Sequence, residues 1–228
     1  MDLGAVKDSS ALVLARGSVA AARNACGLVE DAELLSRAGR LPRAYSLAGL
    51  AVEEVGKADG LAALAAMPEN LRARAPVGRM LEWHQWKLVA GMVIAAVPFS
   101  APGVATKFVT MPPSEVAEIL DNAQASAEDM DRLKQRGLYV DVDRSGLIRE
   151  PSEVTAAEVR EQLDQARQAA SAAGALLKPG GPAIIACPGP DALGFSRAMV
   201  SAFGETGLAR SPEAAADVLR NAVTKLRG

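Results

Sequence analysis

The chain has 228 residues and a formal net charge of −2, which allows one large domain with a sizeable core and argues against a polyanion-binding surface over the whole molecule. Two cysteines and one histidine exclude a disulfide framework, a Cys-based zinc site and a His-rich metal site. Half of the residues are apolar but only 4% are aromatic, and alanine is abundant, which favours packed helices over a β-sheet.

The N-terminus lacks the basic start and the continuous apolar segment of a signal peptide. The longest apolar stretch, LVAGMVIAAVPF, is too short to span a bilayer and is interrupted by Pro98. We therefore expect a soluble cytoplasmic protein that does not contact a membrane and uses neither a metal ion nor another cofactor.

The first part of the chain predicts a helical hairpin. Apolar residues keep a helical period over residues 9–38, and a polar residue at 8–10 caps this first helix. Gly39 ends it, and Pro42 begins a second helix that runs to about Ala66. Because the connection is short, the two helices should pack antiparallel.

Three further helices are predicted, over residues 77–97, 114–136 and 155–177. Thr155 and Glu158 form a capping box at the start of the last one. Residues 138–143 alternate apolar and polar, which is typical of an edge strand or an extended arm.

The C-terminal part of the chain has a different texture. The segment KPGGPAIIACPGPDALG is a hinge rich in Gly and Pro, and two short helices follow at about 191–204 and 212–226. The sequence therefore predicts an all-α fold: an antiparallel helical bundle over residues 1–178, with a hinge and a short helical extension over residues 179–228.

Charged residues interrupt the apolar faces of helices two and three. Glu54 lies on the apolar stripe of helix two and should be buried, whereas Glu53 lies nearer its boundary. His84 lies on an apolar face of helix three. If the two helices pack together, four ionisable groups should meet at one depth: Glu54, Lys57, His84 and Lys87.

Two interpretations of this pattern are open. A Glu–Lys pair on one helix is most often solvated, and a single histidine on an apolar face is usually a core residue. A buried carboxylate, however, needs a cationic partner or takes up a proton. Both helices carry ionisable residues on an apolar face, and this favours a functional site. Arg79 precedes His84 with four residues between them, which places it about 140° away around a regular helix. This angle favours the interpretation that the Arg–His spacing is a coincidence and not a motif.

Two other polar segments have structural interpretations. The basic residues at the end of helix four are expected to favour the helix C-terminus and to face solvent. These are Arg132, Lys134 and Arg136. Tyr139 is expected to pack across an end of the bundle, and Asp141 and Asp143 to cap or turn the chain.

Three stretches carry a family resemblance: NACGLVEDAELLSRAGRLPRAYSLAGLAVEEVGKA, HQWK and LKQRGLYVDVD. Over roughly residues 20–150 they resemble the AbiV family of abortive-infection proteins, which is grouped with the HEPN superfamily. The resemblance implies a helical bundle, commonly dimeric, that acts in bacterial defence against phage. Many HEPN proteins are metal-independent ribonucleases with an R-x4-6-H motif, in which two protomers build one cleft.

The resemblance also implies candidate site residues. The candidate catalytic residues are His84, Glu54, Lys57, Lys87 and Arg79. The candidate binding residues are Glu53, Arg43, Tyr139, Asp141 and Asp143. In this interpretation His84 is the general acid or base, Arg79 or a lysine binds phosphate, and Glu54 orients His84 or holds the lysines.

Two functions are therefore expected. The first is an AbiV-like phage-defence protein, a homodimer that cleaves RNA and responds to a phage protein as its trigger. The second is a non-catalytic helical module that binds a phage or host protein, or RNA without cleaving it.

Overall fold

The computed structural model describes residues 6, 8–73, 81, 83–96, 111–138, 141–142, 148–149, 154–178, 182, 197–198, 201–202 and 212–227. The elements in chain order are α1 (Ala11–Arg37), α2 (Leu41–Ala66), α3 (Glu69–Arg72), α4 (His84–Ala96), α5 (Pro113–Leu138), β1 (Asp141–Val142), β2 (Ile148–Arg149), α6 (Ala156–Ala173), a 3-10 turn (Gly174–Leu177) and α7 (Pro212–Arg227). The fold is all-α, as predicted, and none of the described helices is long and apolar enough to cross a bilayer.

The predicted hairpin is formed by α1 and α2. The hydroxyl of Ser10 caps α1 by accepting the backbone N–H of Val13 at 3.3 Å. Gly39 makes the turn with a φ of +71°, a conformation that glycine adopts without strain. The hydroxyl of Ser18, early in α1, donates to the carbonyl oxygen of Ala58, late in α2, at 2.7 Å, as an antiparallel pair requires.

The centre of the bundle is α2, which packs against α1, α4, α5 and α6. Residues on every side of α2 are therefore buried, including small ones such as Ala44, Ala51 and Ala58. A helix that is apolar nearly all round is typical of such a central position.

Glycine permits close packing where α4 crosses α2. A side chain at Gly56 would overlap the backbone carbonyl of Lys87, and one at Gly91 would overlap that of Val52. The two backbones therefore approach more closely than larger residues would allow. This contact brings the start of α4 against the middle of α2.

The helix predicted over 77–97 begins as α4 only at His84, after the non-helical Trp83. The later elements follow the predictions more closely. The capping box at Thr155 is present, with its hydroxyl 3.2 Å from the Glu158 nitrogen. Leu138, predicted to begin an extended segment, is instead the last residue of α5. The extended backbone lies just beyond it, where β1 pairs antiparallel with β2 and Asp141 is opposite Arg149.

The last helix, α7, packs on the bundle against α5 and α4. Arg220 of α7 forms ion pairs with Asp121 of α5 and, at 2.6 Å, with Asp217 of its own helix. Of the helix predicted over 191–204, only residues 197–198 and 201–202 are described, and these are helical. The predicted division of the chain after residue 178 stays a prediction.

Candidate functional site

A buried carboxylate holds three nitrogen atoms from two other helices. Glu53 lies in the middle of α2, and only 4% of its side chain is exposed. Its Oε1 atom is 2.5 Å from Nζ of Lys134, and its Oε2 atom is 2.7 Å from Nδ1 of His84 and 3.3 Å from Nζ of Lys87. We call these four residues the Glu53 cluster.

Three helices of the bundle place the four members. His84 is the first residue of α4 and Lys87 lies in its first turn, next to the glycine crossing with α2. Lys134 lies near the end of α5, with its aliphatic chain beside Gly49 of α2. The cluster therefore joins three helices at one level of the bundle.

The carboxyl group of Glu53 is held in its ionised form. Burial alone raises its pKa, but the Lys134 ammonium, the hydrogen bond from His84 and the charge of Lys87 outweigh burial. The pKa of Glu53 therefore lies below its ordinary value. Lys134 is also 3.4 Å from the carboxylate of Asp131, so that its charge is shared between two acids.

His84 differs from the other members because 59% of its side chain is exposed. An ionised carboxylate can only accept hydrogen bonds, so Nδ1 of His84 must be the donor to Glu53. In the neutral imidazole the other ring nitrogen, Nε2, is then the unprotonated one. A half-exposed imidazole in this tautomer is suited to taking up a proton.

The predicted convergence involves a different carboxylate from the one expected. His84 and Lys87 do meet an acid of α2, but that acid is Glu53 and not Glu54. Glu54 pairs instead with Lys57 at 3.1 Å, three residues along the same helix, where both side chains are partly exposed. The reason is that α4 and α5 also pack against α2. They cover the side that bears Glu53, which the apolar stripe alone had placed at the boundary between core and solvent.

The apolar face predicted for helix three does not bury His84. His84 begins α4, and its ring is mostly outside the core. Farther along the helix the predicted apolar face is buried, at Leu88 and Gly91. His84 itself lies at the rim of the bundle, where solvent reaches its side chain.

The remaining predicted site residues are not brought to the cluster by the described structure. Arg43 is exposed in the first turn of α2, ten residues and therefore about 15 Å along the helix from Glu53. Asp141 lies in β1, where its backbone pairs with Arg149. Arg79, Tyr139 and Asp143 lie outside the described residues.

Lys134 is the cluster residue that the sequence reasoning missed. We expected it to face solvent with the other basic residues of its segment, yet only 5% of its side chain is exposed. A signal was present: the buried residues of α5 recur with helical spacing, and position 134 continues that spacing. These residues are Val116, Leu120, Ala123, Ala127 and Met130.

The chemistry of the cluster is concentrated at His84. Lys134 and Lys87 are largely buried, and their charges are directed to Glu53. Lys57 is the more exposed lysine nearby in the chain, with 27% of its side chain in contact with solvent. Within the described part of the chain, no group of three or more His, Cys, Asp or Glu residues is arranged to hold a metal ion.

Comparison with known families agrees with the fold. The family model described as AbiV, of the HEPN type, matches residues 13–171, which is more than half of the chain. The match includes every residue of the Glu53 cluster, whereas α7 lies beyond it. Comparisons with curated proteins and with solved structures give no significant match.

Proposed function

The chain belongs to the AbiV family of HEPN-type abortive-infection proteins, and we propose that it cleaves RNA with His84 as the general base. The observation that carries this proposal is the hydrogen bond of 2.7 Å between Nδ1 of His84 and Oε2 of Glu53. The bond fixes the tautomer of a half-exposed imidazole and leaves Nε2 as the ring nitrogen that can accept a proton.

The proposed reaction uses the nucleophile that RNA itself carries. Nε2 of His84 removes the proton of a 2′-hydroxyl, and the 2′-oxygen forms a bond to the adjacent phosphorus. The bond from phosphorus to the 5′-oxygen breaks, and water donates a proton to that leaving oxygen. The hydroxide that remains takes the proton from Nε2 of His84, which restores the neutral imidazole. The products are a 2′,3′-cyclic phosphate and a 5′-hydroxyl, and none of these steps requires a metal ion.

In this proposal the two kinds of lysine have different roles. Lys134 and Lys87 hold Glu53 ionised and in place, because both ammonium groups lie within 3.3 Å of its carboxylate. Lys57 is assigned to bind a phosphate of the RNA, since it is more exposed than Lys87 and its partner Glu54 is itself partly exposed.

The burial of Lys134 and Lys87 also supports a second candidate function. The charges of Lys134 and Lys87 are neutralised inside the bundle, which reduces the positive charge available to an RNA phosphate. In this alternative the cluster only joins three helices, and the protein is a non-catalytic module that binds a phage or host protein, or RNA without cleaving it. The homodimer implied by the resemblance and the cytoplasmic location expected from the sequence belong to both candidates.

Cleavage of RNA in EDTA separates the two functions. We expect wild-type protein to cleave and His84→Ala to be slower by about 10²-fold or more, the usual contribution of a general base. Gln168→Ala, at an exposed position of α6, serves as the matched control and should cleave like wild type. Circular dichroism checks that each variant is folded.

A phage-protection assay in cells completes the test. If wild type does not cleave, and His84→Ala protects cells as well as wild type does, the proposed ribonuclease is wrong and the binding module is correct. If cleavage and protection are both lost in His84→Ala but kept in Gln168→Ala, the ribonuclease is supported. Overexpression of both variants without phage shows whether toxicity follows cleavage.

A further inference from the structure

The outer face of α1 exposes large apolar residues. One side of this helix is buried against α2 and α6, including Leu14, Ala22 and Val29. On the opposite side, Val13 is 54% exposed and Leu34 is 59% exposed. These two residues lie near the two ends of a 27-residue helix, so the apolar surface is divided between its ends.

Small and charged residues join these two ends in one stripe. At 100° per residue, the stripe residues all lie within about 50° of one direction. They are Val13, Arg16, Ala20, Arg23, Asn24, Gly27, Asp31 and Leu34. We call this set the α1 stripe.

We propose that the α1 stripe binds the same stripe of a second copy of this chain, antiparallel about a twofold axis between residues 23 and 24. In this register the position numbers of facing residues add up to the same value along the stripe. Val13 then faces Leu34 of the second copy, Arg16 faces Asp31, and Ala20 faces Gly27. Such a surface is complementary to itself, as an interface with twofold symmetry requires.

The charges of α1 favour the antiparallel direction. Arg16 and Arg23 lie in its N-terminal half, whereas Glu30 and Asp31 lie in its C-terminal half, and all four are exposed. Within the described part of the chain, none of them forms an ion pair. Antiparallel pairing places Arg16 opposite Glu30 and Asp31, whereas parallel pairing would place like charges together.

The middle of the stripe allows the two helices to approach closely. A Cβ atom at Gly27 would meet no atom within 4 Å in the described part of its own chain, so the described packing of the bundle does not require glycine there. Glycine in a helix interior costs about 1 kcal/mol relative to alanine. Contact with Ala20 of a second copy would explain the glycine, because a residue without a side chain lets the two helices approach closely. Arg23 lies at the edge of the stripe, from which its long side chain can extend into solvent.

The proposed interface leaves the Glu53 cluster complete in each protomer. The cluster is formed by α2, α4 and α5, and no residue of α1 takes part in it. Each protomer would therefore carry its own site, in contrast to the shared cleft that the family resemblance implies. This assignment of a face rests on the proposed homodimer and does not depend on RNA cleavage.

Charge reversal tests both the face and its direction. Sedimentation velocity over a range of concentrations should show wild-type dimers. Arg16→Glu places three acids together at each end of the stripe, and a Glu30→Arg, Asp31→Arg double variant places three bases together. Each should raise the dimer dissociation constant at least about tenfold. Arg160→Glu, at an exposed position of α6, is the matched control and should behave as wild type.

Mixing the two reversed proteins gives the decisive result. In a mixed dimer, the acid introduced by Arg16→Glu in one chain would face the two bases introduced in the other. At the opposite end of the stripe, the unchanged Arg16 of the second chain would face the unchanged Glu30 and Asp31 of the first. We therefore expect the mixture to form dimers at a protein concentration at which neither reversed protein does so alone. Circular dichroism of each protein confirms that the substituted helix is folded.

The possible outcomes distinguish whether the protein forms a dimer from whether the α1 stripe is the face that forms it. Wild-type protein that stays monomeric would overturn both the homodimer and the assigned face. Dimers that persist in both reversed variants, or a mixture that stays monomeric, would overturn the α1 stripe while leaving the homodimer standing. Neither result bears on cleavage by His84, which is measured separately.

Discussion

Nζ of Lys134 lies 2.5 Å from Oε1 of Glu53, although 81 residues separate them in the chain. Both side chains are at most 5% exposed. The pair ties the end of α5 to the middle of α2, and Lys87 and His84 of α4 join the same carboxylate. The stability of the fold and the proposed chemistry therefore both depend on Glu53, and the first predictions concern this residue.

Replacing Glu53 should strongly destabilise the fold. Glu53→Gln leaves the ammonium groups of Lys134 and Lys87 buried beside a neutral amide. We expect the free energy of unfolding to fall by about 3 kcal/mol, because an uncompensated buried charge costs far more than a lost surface pair. Urea denaturation followed by circular dichroism measures this change.

Glu54→Gln is the control for this prediction, since it changes the adjacent residue in the same way. It removes only the partly exposed pair with Lys57 and should cost about 0.5 kcal/mol or less. Equal losses in the two variants would contradict the assignment of Glu53 as the buried acid.

A double-mutant cycle should show strong coupling between Glu53 and Lys134. The cycle combines Glu53→Gln, Lys134→Met and the double variant, and we expect a coupling free energy of about 2 kcal/mol. The comparison is the pair of Arg167 and Glu33, which joins α6 to α1 at 2.8 Å but is partly exposed. Its cycle should give less than about 1 kcal/mol, and a surface pair that couples as strongly as the buried one would refute the prediction.

Acid should weaken the fold through Glu53. Its pKa is lowered in the folded state, so between the folded and unfolded values the unfolded chain binds more protons. The stability that Glu53 contributes is therefore complete above about pH 5 and is lost as the pH falls through the lowered folded pKa.

The free energy of unfolding between pH 6 and pH 3 measures this effect. The wild-type curve should fall more steeply with acid than that of Glu53→Gln, which has no proton to bind at this position. Parallel curves would mean that Glu53 titrates alike in both states and that its ion pairs do not lower its pKa.

The close crossing of α2 and α4 should not tolerate a methyl group. In Gly56→Ala the new Cβ would overlap the backbone of Lys87, which cannot move without displacing α4. We expect a loss of about 2 kcal/mol, in the range for overpacked cores, and a slower reaction in the RNA assay because His84 and Lys87 shift. Thermal unfolding and cleavage are measured on the same preparation.

Gly27→Ala provides the matched comparison, because no described residue lies within 4 Å of a Cβ atom at that position. At a concentration where both proteins are monomeric, it should be neutral or gain up to about 1 kcal/mol from better helix propensity. A Gly56→Ala protein as stable as Gly27→Ala would show that the helices do not cross as closely as described.

The amino-acid sequence by itself determined the helices and most of their ends. Gly39 with Pro42, and Thr155 with Glu158, are local signals, because turns and caps depend on residues within a few positions of each other. The hairpin of α1 and α2 followed from its short connection. The motifs of the AbiV family were also readable directly, and the family match confirms them.

Only the tertiary structure decided which side chains meet. Helical spacing placed Glu54 on the buried stripe, but α2 is covered on several sides, and the side bearing Glu53 is the one that α4 and α5 close. Lys134 was assigned to solvent because its local segment is basic, yet it lies on the core face of α5. Periodicity reports that a residue faces a neighbour, whereas the packing of helices distant in sequence determines which neighbour it is, and the proposed chemistry depends on that second fact.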